Sequence, residues 1–507
     1  MKCPKCNGTR LHKNGKAESG RTRYKCIGCN ARTTNPNQEV DEKIAFQSTL
    51  PKSNKYIFTA AQNATPVHKG FLASLRHFAK RVGAELVVIP FRYKNPTSNW
   101  SADNESIEWW DRGLARYLFD GRFNLNKHLT ILADVKVQPT AVTPLTGLES
   151  ITGERSGIVG HTKIQLQTVP TPSNKMPKIM ATTGSVTIRN YSDTKSGKKG
   201  EFYHSFGAAM VEIDGDQFHL RQINACNDGS FIDLDVESTP KGCRKAKPAK
   251  ALIMGDSHVD FIDPDVVKAT FTDKGSIVES LRPTRLVWHD LLDFYSRNHH
   301  HRNDPITALV KHQSGMGDVR GEIERACAFV DKHTPSKTVS IIVPSNHPEA
   351  MARWIRETDW RFDPENAEFY LETALALVKS AHMTPHGATC DDPFAYWAKQ
   401  LLNTTAEVLT RDDSYVIDGI ELGMHGDKGP NGARGSIRNM ARTGTKTVIG
   451  HSHSPGIFEG CVQTGTSTRL KLEYTSGPSS WLQTHCVIYA NGKRSLLNIV
   501  NGKWHNA

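Results

Sequence analysis

"ALIMGDSH", residues 251–258, is a short apolar run that stops on an aspartate and a histidine one residue apart. The same pattern recurs four times downstream. "RLVWHDLLD" (285–293), "TVSIIVPSNH" (338–347), "GIELGMHGD" (419–427) and "TKTVIGHSH" (445–453) each carry an apolar run into His, Asp or Asn. Apolar runs of this length, bounded by polar turn residues, read as buried strands. Between them lie helical patterns: "GEIERACAFVDKH", "PEAMARWIRE" and "NAEFYLETALALVKSAH". Strands alternating with helices define an α/β class, in which ligand sites gather at the carboxyl ends of strands. One His or Asp at such a place is ordinarily a surface residue or a helix cap. Five such endings in order point to a metal site, and the i, i+2 spacing lets one turn present two side chains to one ion or to two neighbouring ions.

The ordered set D-x-H, D-x-x-D, N-H, H and G-H-x-H resembles the calcineurin-like metallophosphoesterases over about residues 250–456. The resemblance implies a four-layer α/β/β/α sandwich with two metal ions between its sheets. It implies that Asp256, His258 and His453 hold one ion, that Asn346, His425 and His451 hold the other, and that Asp290 bridges them. It makes His347 the proton donor to the leaving oxygen and Asp293 the group that orients His347. Imidazole, carboxylate and amide donors suit Mn²⁺ first, with Fe or Zn²⁺ as alternatives, over an all-oxygen Mg²⁺ site. Three departures stand out. His289 replaces the usual Gly before Asp290, Ser345 replaces a Gly before Asn346, and Phe294 stands where the family's protein phosphatases place an arginine. The last counts against a phosphoprotein substrate.

A second metal pattern opens the chain. "CPKC" (3–6) and "CIGC" (26–29) give C-x2-C-x19-C-x2-C, so Cys3, Cys6, Cys26 and Cys29 can close a tetrahedral Zn²⁺ site. Residues 1–36 bury little core, so zinc would supply their folding energy. The unit is similar to the zinc ribbons that open many transposases. Its nine Lys or Arg against the single acid Glu18 account for +8 of the chain's net +12. Arg10, Lys13, Lys16, Arg21, Arg23, Lys25 and Arg32, with Tyr24 among them, suit a phosphate backbone and a stacked base. A protein-docking or purely structural ribbon is the alternative.

The remaining organisation follows from composition. The 507 residues suffice for several cores. Residues 1–36 form the ribbon, 37–54 a linker with a short helical stretch, 55–240 an open α/β domain with a β-rich second half, and 250–507 the phosphoesterase domain ending in a β-hairpin at Asn491-Gly492. The basic stretch "KGCRKAKPAK" (241–250) reads as the boundary. In the middle region Trp109-Trp110 and "SGKKGEF" (196–202) read either as nucleic-acid contacts or as a core pair and a hairpin turn. "RNHHH" (297–301) reads as a solvated loop. No apolar run reaches membrane-spanning length, and the start is not an apolar signal segment, which predicts a cytoplasmic protein with no membrane partner.

These features converge on a metal-dependent DNA nuclease, with possible homo-oligomers. The family includes nucleases of the SbcD type, and the layout resembles phage-encoded DNA-degrading nucleases, acting then in a host cytoplasm. Two alternatives remain: a phosphodiesterase for a nucleotide or small phosphate ester, and a non-catalytic DNA-binding regulator.

Overall fold

The computed structural model describes residues 1–3, 6, 8–16, 22–33, 46–98, 109–172, 175–472 and 475–505. Two large sheets dominate it. In the six-stranded sheet, Ala406–Val408, Val339–Ile342, Arg285–Trp288 and Ala251–Ile253 lie side by side and parallel, followed by the antiparallel hairpin Thr484–Ile488 and Arg494–Asn498. Three of the five motif-bearing runs are therefore adjacent parallel strands. Their carboxyl ends emerge on one edge.

Side chains in this sheet alternate between two interiors, as the period-2 geometry of a strand requires. Leu252, Leu286 and Ile342 face a helical layer that contributes Val319, Ile323, Met351, Trp354, Phe369 and Trp397. Ile253, Val287 and Ile341 face the other way, into a core shared with Ile420, Val448, Ile457 and Val462 of the second sheet. Burial on both faces explains why these runs read as near-continuous apolar stretches.

The second sheet has ten strands. Ile420–Glu421 and Lys446–Ile449, which carry the last two motifs, are parallel neighbours within it. The helix Ile437–Ala441 covers its outer face through Met440 and Ala441 against Ile449 and Cys461. Half of this sheet comes from the middle of the chain. Leu166–Val169 pairs antiparallel with Gly456–Phe458, and Lys178–Thr182, Ser156–Val159, Leu129–Leu132 and Arg122–Asn124 extend the sheet from there.

This pairing corrects the expected division at residues 241–250. The region 55–240 is not an independent open domain, because its strands complete the second sheet and bury Ile131, Ile158 and Ile179 in the common core. The supposed boundary is itself structured: Gly242–Lys245 closes a three-stranded meander with Phe231–Asp233 and Val236–Thr239. Basic composition marked a surface strand there, not a linker. A separate four-stranded sheet does carry the expected strand–helix–strand unit, Lys55–Gln62, Lys69–Val82 and Glu85–Phe91. Phe71, Leu75 and Phe78 on the helix pack onto Ile57 and Val88. The opposite face of that sheet, through Phe58 and Ile89, joins the common core.

Two smaller expectations resolve. "SGKKGEF" lies in a helix, Lys195–Tyr203, capped by Thr194, and not in a hairpin turn. Trp110 is buried edge-on against Phe46. The expected helical stretch at 39–47 falls largely outside the described residues, as does Arg21. Among the described residues no helix is long and apolar enough to cross a membrane.

Candidate metal centre

The five motif-bearing strand ends meet at one place between the two sheets. Asp256 and His258 leave the first strand, Asp290 and Asp293 the second, and Asn346 and His347 begin the helix Asn346–Glu357 after the third. His425, His451 and His453 arrive from the second sheet. The Asp256 carboxylate lies 3.1 Å from His453 Nε2, and His258 Nε2 lies 3.2 Å from the same nitrogen. Asp290 Oδ2 is central: His425 Nε2 is at 3.2 Å, His258 Nε2 at 3.6 Å and His347 Nε2 at 3.7 Å. Ligand atoms of Asp256, His258 and His453 lie within 4.8 Å of one another, as do those of Asp256, Asp290 and His425. A third such group joins His258, Asp290 and His347.

His451 and Asn346 stand slightly apart from these groups. His451 donates its backbone N–H to Asp256 Oδ2 at 2.7 Å, and its ring lies edge-on to His425 at 5.3 Å. Asn346 presents a buried Oδ1 with no hydrogen-bond partner. It is one of many. Among the described residues, eight of the twenty buried unpartnered side-chain atoms lie here, on Asp256, His258, His289, Asp290, Asp293, Asn346, His425 and His453. Close contacts among them are charge contacts, not aligned hydrogen bonds. Buried polar atoms left unpaired are costly, and such a concentration of N and O donors fits metal ligation. The donor set suits two divalent ions of the Mn²⁺, Fe or Zn²⁺ kind.

The backbone is bent to this purpose. His258, Asp290, His451 and His453 all have positive φ, between 37° and 76°. That region is disfavoured for residues with a Cβ, so the surrounding structure must impose it. Gly450 explains the glycine that opens G-H-x-H: a Cβ there would stand 2.1 Å from Asp256 Oδ1.

Protonation couples these groups. Burial disfavours charge on His258, but Asp290 and Asp293 overcome it and raise its pKa to about 9. Burial works against ionised Asp256 too, yet His425 and His453 take it down to about 2. Asp290 is likewise held far below the usual carboxylate range by His347, His425 and His258, against its burial. His451 and His453 are shifted down by burial, which favours the neutral, ligand-competent ring. The carboxylates thus favour a charged His258 ring, and that ring favours their ionised form.

Asp293 sits differently from its expected role. Its carboxylate lies closest to His258 Nδ1, at 2.8 Å, and 3.6 Å from His347 Nδ1. What His347 Nδ1 bonds is the Asp293 backbone carbonyl, at 2.8 Å. The carbonyl therefore orients His347, while the side chain supports His258.

Several contributors escaped the sequence reading. His485, from the C-terminal hairpin, accepts the Gly255 N–H at 2.9 Å and contacts Thr270 Oγ1 at 3.0 Å, pinning the loop that carries Asp256. Trp481 packs edge-on against His453 at 4.1 Å. Neither has a local signal, because each acts through tertiary proximity. His289 was visible only as a departure. It is fully buried, so it cannot meet substrate, and its Nδ1 lies 3.4 Å from His425 Nδ1.

At the other end of the chain the four cysteines also converge. Cys3 and Cys29 sulfurs are 3.5 Å apart, Cys6 and Cys26 sulfurs 3.6 Å, and all four lie within 4.8 Å. A tetrahedral zinc with bonds of about 2.3 Å separates its sulfurs by about 3.8 Å, close to this spacing. Backbone N–H groups of Cys29 and Gly28 lower the Cys26 thiol, favouring thiolate there, while the neighbouring Cys6 thiol, against a Gly8 backbone bond, is pushed up by the Cys29 and Cys26 sulfurs. The cysteines close a three-stranded sheet, Leu11–Lys16, Thr22–Cys26 and Arg32–Thr33. Cross-strand register places Lys13 opposite Tyr24 and Lys25 between His12 and Arg32. Neighbours along a strand point to opposite faces, so the basic residues are divided: Lys13 with Tyr24 on one side, Arg23, Lys25 and Arg32 on the other. Arg10, Lys13, Lys16 and Arg32 are exposed, while Arg23, Tyr24 and Lys25 are half-buried.

Fold and site together define an α/β protein with a buried histidine–carboxylate cluster between two sheets and a separate four-cysteine cluster. No family model matches the chain. It is 33% identical over 474 residues to "Protein A1" of Escherichia phage T5, an alignment covering 90% of this chain and 84% of that protein. The chain belongs to the family of that phage protein.

Proposed function

We propose that the protein is a phage-encoded, metal-dependent nuclease that hydrolyses DNA phosphodiester bonds at a binuclear centre of the calcineurin-like metallophosphoesterase kind. The observation that carries this reading is the meeting of Asp256, His258, Asp290, His425 and His453 from two sheets, with their buried donor atoms unpartnered. Asp256, His258 and His453 would hold one ion, Asn346, His425 and His451 the other, with Asp290 between them. Bound there, two divalent ions would supply positive charge against a phosphodiester and lower the pKa of a water beside it.

The chain's own groups do the rest. His347 gives its Nδ1 hydrogen bond to the Asp293 carbonyl, which turns Nε2 toward Asp290. Its side chain keeps 25% of its exposure, so Nε2 stays within reach of substrate. The protonated ring delivers the Nε2 proton to the leaving oxygen. Asp293 holds His258, and the backbone N–H of His451 fixes Asp256. The basic four-cysteine unit points to DNA as the substrate, because it would supply sequence-independent affinity for phosphates.

The test is Mn²⁺-dependent cleavage of end-labelled and circular DNA, collapsing in Asn346→Ala, His347→Ala and His451→Ala. Turnover of bis-p-nitrophenyl phosphate without DNA cleavage would instead make the protein a small-ester phosphodiesterase. No turnover with both ions bound would make it a DNA-binding regulator.

A further inference from the structure

Beside the metal centre, a groove of about 430 Å³ runs along the helix that carries His347. Its wall is the helical face of Ala350, Arg353, Trp354 and Glu357, which continues the face of His347 at spacings of three or four residues. The opposite wall is the His-rich segment, with His299, His301 and Arg302. His299 is exposed on this wall. Ala350, the first residue of the helical wall, stands one helical turn past His347, so the groove opens beside the proton donor without including it. At 1.5 Å of rise per residue, Arg353 lies about 9 Å along the helix from His347.

Two features of the lining suit a nucleotide. Phe362 is 86% exposed and lines the groove, so one face of its ring is open to a flat partner. The acids of the rim are engaged unequally. Arg297 holds Asp363 through two bonds at 2.5 and 2.6 Å and Glu365 at 3.1 Å, and Arg361 holds Asp359. His312 lies 3.7 Å from Glu365. The Glu357 carboxylate, by contrast, meets Arg353 and Arg302 at 3.9 and 4.0 Å, and Arg302 also donates to the Glu357 backbone carbonyl at 3.4 Å, exposed contacts of little strength. Those two guanidiniums can turn to a phosphate at small cost.

We infer that this groove is the subsite for the nucleotide next to the scissile phosphate on the leaving-group side, with its base stacked on Phe362 and its phosphate held by Arg353, Arg302 and His299. The assignment rests on the nuclease reading and adds to it the strand state: a base can reach Phe362 only when unpaired, so the groove takes single-stranded or frayed ends.

The test measures cleavage of a labelled thymidine tetranucleotide by the full-length protein with Mn²⁺, a substrate too short to depend on the cysteine-rich unit. Phe362→Ala and Arg353→Gln should each raise KM about tenfold, and Phe362→Trp should restore it. An unchanged rise in melting temperature on adding Mn²⁺ would show that each variant keeps its fold and centre. Wild-type KM in both variants would overturn the groove assignment and leave the nuclease reading standing. Hydrolysis of bis-p-nitrophenyl phosphate with no cleavage of any oligonucleotide by the wild-type protein would overturn both.

Discussion

The two clusters that could hold metal are built on opposite plans. The four cysteines come from two short knuckles within the first 29 residues and close a sheet of two- to six-residue strands with almost no core. The histidine–carboxylate cluster gathers residues from 256 to 453, each at the end of a strand already buried in one of two large cores. In the first, a bound metal would supply the folding energy that so small a core lacks. In the second, the two large cores hold the donors together, at the cost of strained backbone and unpaired polar atoms. A small metal unit needs only local spacing, whereas a buried centre needs the whole architecture.

Chelation should split the two most sharply. After metal removal the main body should keep its circular dichroism and a cooperative melt, while amide exchange across Leu11–Lys16 and Thr22–Cys26 becomes fast. A protected ribbon without zinc would erase the contrast. Next in size, Asp290→Asn should lower Mn²⁺-dependent turnover by about a thousandfold or more, since Asp290 Oδ2 sits among three imidazoles. Steady-state kinetics would show it, and a change of less than tenfold would displace Asp290 from the centre.

His289→Ala should weaken Mn²⁺ affinity by about 10- to 100-fold, read by calorimetric titration. Burial and His425 lower the His289 pKa to about 4, so its neutral Nδ1 can accept from His425 Nδ1–H and leave Nε2 to the ion. His289→Asn, which keeps an acceptor near that position, should recover part of the affinity. Loss in Ala without recovery in Asn would point to packing alone.

The pH dependence sharpens the same contrast. The folded, metal-free His258 has its pKa raised to about 9, above its unfolded value near 6.5. Its contribution to apo stability is therefore complete below pH 6.5 and lost as pH rises through 9. Metal must displace that proton, so Mn²⁺ affinity should rise about tenfold per pH unit over the same window. Melting curves with and without Mn²⁺ at pH 6, 7.5 and 9 would reveal opposite trends; parallel curves would remove His258 from the ligand set. The smallest effect is expected from removing residues 1–36, which should weaken DNA binding several-fold and flatten its salt dependence, leaving small-ester hydrolysis intact. Unchanged binding would take the ribbon out of substrate capture.

Much of this was legible in the chain. The strand runs, the intervening helices, the cysteine knuckles and the ordered strand-end residues all follow from local pattern, because period, burial and turn chemistry act over a few residues. The Gly450 requirement was written in the motif, though its reason, the approach of Asp256, was not. Tertiary structure alone decided which strands share a sheet. Nothing local in "QLQTV" says that it pairs with Gly456–Phe458, and the expected boundary at 241–250 missed that pairing. It also decided that His485 pins Gly255, that Asp293 turns its carboxylate to His258, and that His289 is buried beyond reach of substrate. Residue type and spacing select the donors. Their partners are chosen by close packing between segments up to about 290 residues apart, a long-range constraint that no short window of sequence contains.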